Sequence, residues 1–224
     1  MHKLKSTSIY DEIYLKSLIN NSSIRINRII EFIAFNKSDI IGDFASGSGT
    51  LAWSINNRIL KYYGIDTSLD FIRFSNKQAK LYDIKNVYFK CEKISEFCSK
   101  RPHFLDKAFA LDFSEHLNDS DFNKIFKSIW TSLKPNGILY MHTPNSKYFI
   151  EILKHIHFIP QTPGHIAVRN ASQYKSMLTQ IGFKNVQIIY LSHYLPILKK
   201  LHFMSKIPLI NYFFRARIFL ICQK

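Results

Sequence analysis

The chain has 224 residues, 46% of them hydrophobic, which suits one globular domain with its own core. Its three cysteines, Cys91, Cys98 and Cys222, show neither Cys-x-x-Cys nor Cys/His zinc spacing and are odd in number, which speaks against a disulfide framework; no apolar run reaches the ~18 residues of a membrane span, and residues 1–8 lack the apolar centre of a signal peptide, so a cytoplasmic protein, at most peripheral at a membrane, is expected. The formal net charge of +15 favours polyanionic partners, RNA or an anionic membrane surface, although a composition rich in Lys, Asn and Ile yields a basic chain by itself.

Residues 23–35 place apolar side chains at near-helical spacing behind Ser23, which predicts a helix. Short apolar runs at Ile40–Phe44, Lys61–Ile65, Val87–Cys91, Lys107–Leu111 and Ile138–His142 predict strands, and the amphipathic segments 68–81 and 119–133 lie between them. That alternation predicts a doubly wound, Rossmann-like sheet with helices on both faces. Further on, residues 172–182 end in Gly182 as a helix C-cap does, followed by a strand-like run at Val186–Leu191. Residues 194–214 form an insertion of interleaved apolar and basic residues. Pro208 interrupts it and predicts two short helices rather than one.

The apolar run that begins at Ile40 meets an acid, Asp43, and opens into Ala45-Ser46-Gly47-Ser48-Gly49 ahead of a helical pattern. Glycines at alternate positions let the backbone take conformations closed to other residues and approach a nucleoside closely. The next strand ends in Asp66, 23 positions after Asp43 (66 − 43), where an acid can accept both hydroxyl protons of a ribose.

With these segments in order, the chain resembles the class I S-adenosylmethionine-dependent methyltransferases, in the group similar to the O-methyltransferases of ubiquinone biosynthesis. Asp43-Phe-Ala45-Ser-Gly47-Ser-Gly49 resembles the first motif, with alanine for its first glycine. Gly64-Ile-Asp66-Thr67-Ser68 resembles the second-strand motif, and Val87–Glu92 the third, with Glu92 in place of the usual Asp. Residues 104–117 resemble the fourth strand and its Glu-His-Leu turn, and residues 133–145 the Leu-Lys-Pro turn, fifth strand and Thr-Pro-Asn end. The resemblance implies S-adenosylmethionine as cofactor, held by Asp43, Ala45, Ser46, Gly47, Gly49, Asp66, Thr67, Glu92, Lys93 and Asp112, and an antiparallel seventh strand over 215–222. Tyr10 and Tyr14 resemble an N-terminal segment that closes over the cofactor; packing of a helix is the alternative. The expected organisation is one domain over 1–224, with N-terminal helices to 38, a cofactor-binding core over 39–145 and an acceptor-side half over 146–224.

Methyl transfer from a sulfonium demands positioning and, for a hydroxyl acceptor, a base. Glu115 and His116 are the expected catalytic pair. Asp112, Glu115 and His116 stand at i, i+3 and i+4 and would share one face if their turn were helical. With His165 they resemble the divalent-metal element of the ubiquinone-type and small-RNA 3′-terminal methyltransferases, but Asp112 replaces a longer Glu, so no metal is expected. The resemblance implies O-methylation of a small molecule, a quinone precursor or a saccharide or lipid-linked acceptor. Two other readings compete: an RNA methyltransferase, supported by charge but lacking an Asn-Pro-Pro-Tyr segment, and a non-catalytic binding subunit, supported only by Ala45. Residues 194–214 are expected to cap the acceptor side and touch an anionic membrane, the alternative being packing on the sheet edge or on a second subunit.

Overall fold

Each of the five apolar runs forms a strand, β1 (Ile40–Phe44), β2 (Lys61–Asp66), β3 (Val87–Cys91), β4 (Leu105–Leu111) and β5 (Leu133–Pro144), in a computed structural model that describes residues 23–224. With β6 (Lys184–Leu191) and β7 (Arg217–Gln223) they make one seven-stranded sheet in the order β3-β2-β1-β4-β5-β7-β6. The pairs among β1 to β5 are parallel, whereas β7 runs antiparallel to both β5 and β6. This is the Rossmann-like arrangement with an antiparallel last strand that the sequence predicts.

Consecutive residues of the central strands point to opposite faces and are apolar on both, so both faces need a helical layer. In β4, Ala108 and Ala110 join a core with Phe97 of α4 (Ile94–Ser99), Phe122 and Phe126 of α5 (Asp119–Ser132) and Tyr174 and Leu178 of α7 (Ala171–Ile181). Phe109 between them joins a second core with Ile26 and Ile29 of α1 (residues 23–30), Leu51 and Ala52 of α2 (Thr50–Ile55) and Ile72 of α3 (Leu69–Leu81). Arg28 ties α1 to the far end of the chain by donating to Ser192 Oγ at 2.6 Å. The tyrosines singled out at 10 and 14 lie outside the described residues.

Two local differences from the sequence expectation have identifiable causes, and the insertion follows it. β5 begins at Leu133 rather than Ile138, because Leu133 pairs with Leu105 across a register shift before the regular ladder starts at Ile138. A short helix, α6 (Phe149–His155), follows the Thr-Pro-Asn end, too brief to show a periodicity of its own. The insertion runs as α8 (Pro196–Lys200) into a 3-10 stretch, Leu201–Lys206, then restarts at Asn211–Phe214, with Pro208 in the break as expected.

Candidate active site

The order of strands reverses at β1, with β2 on one side and β4 on the other, and in such sheets the ligand crevice lies beyond the carboxyl ends of the strands at that point. A cavity of about 360 Å³ sits there, lined by Asp43, Ala45, Ser46, Gly47, Ser48 and Thr50 from the first turn, Asp112 and His116 from the turn after β4, and Arg25 from α1. The backbone of the first turn is left-handed at Ala45 (φ 59°), Gly47 (φ 52°) and Gly49 (φ 74°). A Cβ on Gly49 would lie 2.7 Å from the Phe89 ring, so glycine is required by space as well as by φ. A Cβ on Gly47 would meet nothing within 4 Å and would point into open space, as expected where backbone must lie against a ligand. Ala45 bears the left-handed strain that glycine would avoid, about 1–2 kcal/mol.

Asp66 shapes this loop: its carboxylate accepts the Gly47 N–H at 2.9 Å and the Ser68 N–H at 2.8 Å. A carboxylate has about four lone-pair positions, so two remain for hydroxyl donors. Asp43 is buried and accepts the Tyr62 hydroxyl. Burial pushes its carboxyl up to about 7, opposed by the Tyr62 hydrogen bond and the positive field of Arg25 and aided by Asp66. The buried Ser46 Oγ has no partner among the described residues, consistent with a polar ligand at the loop. These features fit a nucleoside bearing an amino-acid tail. Asp66, Thr67, Glu92 and Lys93 do not line the cavity: Asp66 reaches it only through the loop it bonds, Thr67 is exposed, Glu92 pairs with Lys100 at 2.7 Å, and Lys93 caps α4.

The turn after β4 departs from the sequence expectation. Asp112 is left-handed (φ 51°) and its N–H donates to the His142 carbonyl at 2.7 Å, so it precedes the 3-10 turn Ser114–His116 and shares no helical face with Glu115 and His116. Its carboxylate pairs with Arg25, with His142 Nδ1 at 2.9 Å and with Arg217 at 3.3 Å. Burial works to raise that carboxyl, but Arg25, His142 and Arg217 outweigh it and hold it well below the usual carboxylate range. Arg169, buried, clamps the 3-10 turn by donating to the carbonyls of Ser114 at 3.3 Å and Leu117 at 2.8 Å.

Glu115 is 1% exposed and accepts from Thr143 Oγ1 at 3.2 Å, within a buried network of Ser114, Thr143 and Tyr174 hydroxyls. Burial, then the neighbouring Asp112, push its carboxyl up to about 8. His116 donates from Nδ1 to the Gly164 carbonyl at 2.8 Å, which leaves its Nε2 lone pair exposed to a ligand. Its ring meets that of His165 edge-on at 5.1 Å. Ligand atoms of Glu115, His116 and His165 lie within 4.8 Å of one another. Asp112, the fourth residue of the metal alternative, is engaged by Arg25, Arg217 and the His142 ring instead.

A second cavity of about 210 Å³ adjoins the first and shares Arg25, Asp112 and His116 with it. Its remaining walls come from Glu115, from Tyr148, Ile150, Glu151 and Lys154 of α6 and its cap, from Thr162 and His165, and from His193, Tyr194, Ala216 and Arg217 at the ends of the insertion. Tyr148, Glu151, His193 and Arg217 escaped sequence reasoning. Arg217 meets Asp112 across 105 residues, and no local pattern marks that pairing.

A methyltransferase domain family matches residues 23–188. The chain belongs to this family, and its fold is that of S-adenosylmethionine-dependent methyltransferases. Among solved structures, a SAM-dependent methyltransferase from Archaeoglobus fulgidus superposes with a TM-score of 0.73 at 17% identity, over 96% of this chain and 100% of that one. The Haemonchus contortus phosphoethanolamine N-methyltransferase 2, in complex with phosphomonomethylethanolamine and S-adenosylhomocysteine, does so at 0.68 and 15% identity, over 95% of this chain and 58% of that one. In sequence, the ubiquinone biosynthesis O-methyltransferase of Neisseria meningitidis serogroup C is 24% identical over 104 residues, 46% of this chain and 43% of that protein. The match thus spans less than half the length of the relative.

Proposed function

We propose that this protein transfers the methyl group of S-adenosylmethionine to a hydroxyl of a small acceptor. The observation that carries the reading is the pair of adjoining cavities with Arg25, Asp112 and His116 in the shared wall. When bound, the cofactor supplies an electrophilic methyl on a sulfonium. Asp66 accepts hydrogen bonds from ribose hydroxyls and the 43–49 loop cradles the methionine part, with Asp112 in the wall of the same cavity. His116 takes the acceptor proton on Nε2, its ring held by the Gly164 carbonyl. Glu115, kept neutral by burial, positions the turn through Thr143 rather than acting as an anion below about pH 8. The test is methyl incorporation from labelled cofactor into small-molecule extracts by the full chain. Failure to bind S-adenosylmethionine or S-adenosylhomocysteine in calorimetry would overturn the reading.

Part of this proposal is that the insertion rests on an anionic membrane surface. Ile197 (79%), Phe203 (63%) and Leu209 (88%) are exposed beside Lys199, Lys200 and Lys206. A basic, apolar segment of this kind lies in a headgroup layer, with about 1 kcal/mol from each Lys. Flotation with phosphatidylserine vesicles should be lost when the three lysines become Glu; undiminished flotation of that variant, or none by the wild type, rejects it.

A further inference from the structure

Three residues that line the smaller cavity carry buried polar atoms that bond to nothing among the described residues: Tyr148 Oη, Glu151 Oε2 and His165 Nδ1. Tyr148 is 3% and Glu151 9% exposed, so their unmet hydrogen bonds are costly unless a ligand supplies them. Glu151 is half used: Oε1 takes Lys154 Nζ at 2.7 Å, and Lys154 also donates to Thr162 at 3.0 Å. What remains at Oε2 is a bare acceptor.

The cations of this wall already hold carboxylates, Lys154 with Glu151 and both Arg25 and Arg217 with Asp112, so a phosphate or carboxylate would have to compete with Asp112 and Glu151 for them. It offers as little to an alkyl tail, since Ile150 and Ala216 are the only aliphatic side chains in its described lining. Flat surfaces are present instead: the His193 ring stacks with Tyr148 at 6.1 Å and lies 4.4 Å from Tyr194. The Leu195 N–H donates to His193 Nδ1, which places the His193 proton on Nε2 as a donor. The volume of about 210 Å³ is below the ~300–1,000 Å³ of drug-sized sites and suits a single ring.

We propose that this cavity is the acceptor subsite for a neutral, polyhydroxylated ring of the monosaccharide type, with Glu151 and Tyr148 reading two hydroxyls while a third is presented to His116. The assignment rests on the methyl-transfer reading and narrows its acceptor class. A site built to hydrogen-bond hydroxyls discriminates strongly against analogues that lack them, because its buried polar groups are left unpaired.

The experiment uses the full chain saturated with S-adenosylhomocysteine and titrates methyl hexosides, their deoxy analogues and myo-inositol, with 3,4-dihydroxybenzoate as the catechol comparison. At least one sugar-type ring should bind at least tenfold tighter than the catechol. Tyr148→Phe and Glu151→Gln should each weaken that ring at least tenfold, with S-adenosylhomocysteine affinity changed less than twofold. Tyr148→Phe removes an oxygen that bonds to no described residue, so this variant should fold. A catechol that outbinds every ring, no binding by any ring, or variants equal to wild type would each overturn the subsite. Loss of S-adenosylhomocysteine binding by the wild type would instead overturn the methyl-transfer reading.

Discussion

Replacing Glu115 by glutamine should stabilise the protein, and increasingly so as the pH rises. In the folded state burial lifts this carboxyl from 4.5 to about 8. An acid whose folded value is raised binds its proton more tightly when folded, so stability falls as pH climbs from 4.5 to about 8 and stays level above. That rise from 4.5 to about 8 sets a ceiling of about 5 kcal/mol, at about 1.36 kcal/mol for each tenfold gain in proton affinity. About 2 kcal/mol, within the ~1–3 kcal/mol that an unsatisfied buried polar group costs, is the level expected. Glutamine carries no such penalty, and its carbonyl can still accept from Thr143. A kilocalorie moves the melting temperature of a chain of this size by roughly 2–4 °C. Calorimetric melts at pH 4.5 and pH 8.5 should therefore show a variant advantage at least 4 °C larger at the higher pH. Asp43, His142 and the other titrating groups are common to both proteins and drop out of the difference. An advantage that is flat or shrinks with pH would refute the buried, protonated Glu115.

Three further outcomes are expected. Asp66→Ala should weaken S-adenosylhomocysteine binding roughly 10–100-fold in calorimetry, since hydrogen bonds to a charged group contribute about 1.5–3 kcal/mol and the Gly47 N–H also loses its acceptor; equal affinity would refute the ribose role. His116→Ala should lower kcat by about 10²–10⁴, the range of a positioned base, once an acceptor is in hand; a change below threefold would refute proton transfer to His116. Activity should persist in excess chelator, because Asp112 is engaged by Arg25, His142 and Arg217 and Glu115 keeps its proton near neutrality; loss that Mg²⁺ restores would refute this.

The sheet and the first turn were legible in the sequence because their causes are local. Apolar runs at strand length mark β1 to β5, and glycines at 47 and 49 answer to a backbone conformation that their own positions impose. Pro208 broke the insertion where its missing N–H predicts. The i, i+3, i+4 reading of Asp112, Glu115 and His116 failed because spacing assumes a helix, whereas Asp112 is left-handed ahead of the turn and its carboxylate is taken up by Arg25, His142 and Arg217. Those partners come from α1, β5 and β7, up to 105 positions away. The same holds for the second cavity, whose walls Tyr148, Glu151, His193 and Arg217 meet only once β7 has inserted between β5 and β6. Sequence alone determined that the chain builds a nucleoside-binding turn on a parallel sheet, since backbone sterics and periodicity act over a few residues. Which side chains face the acceptor, and which charges are already neutralised there, the tertiary structure decided, because burial and Coulomb interactions depend on distance in space and not along the chain.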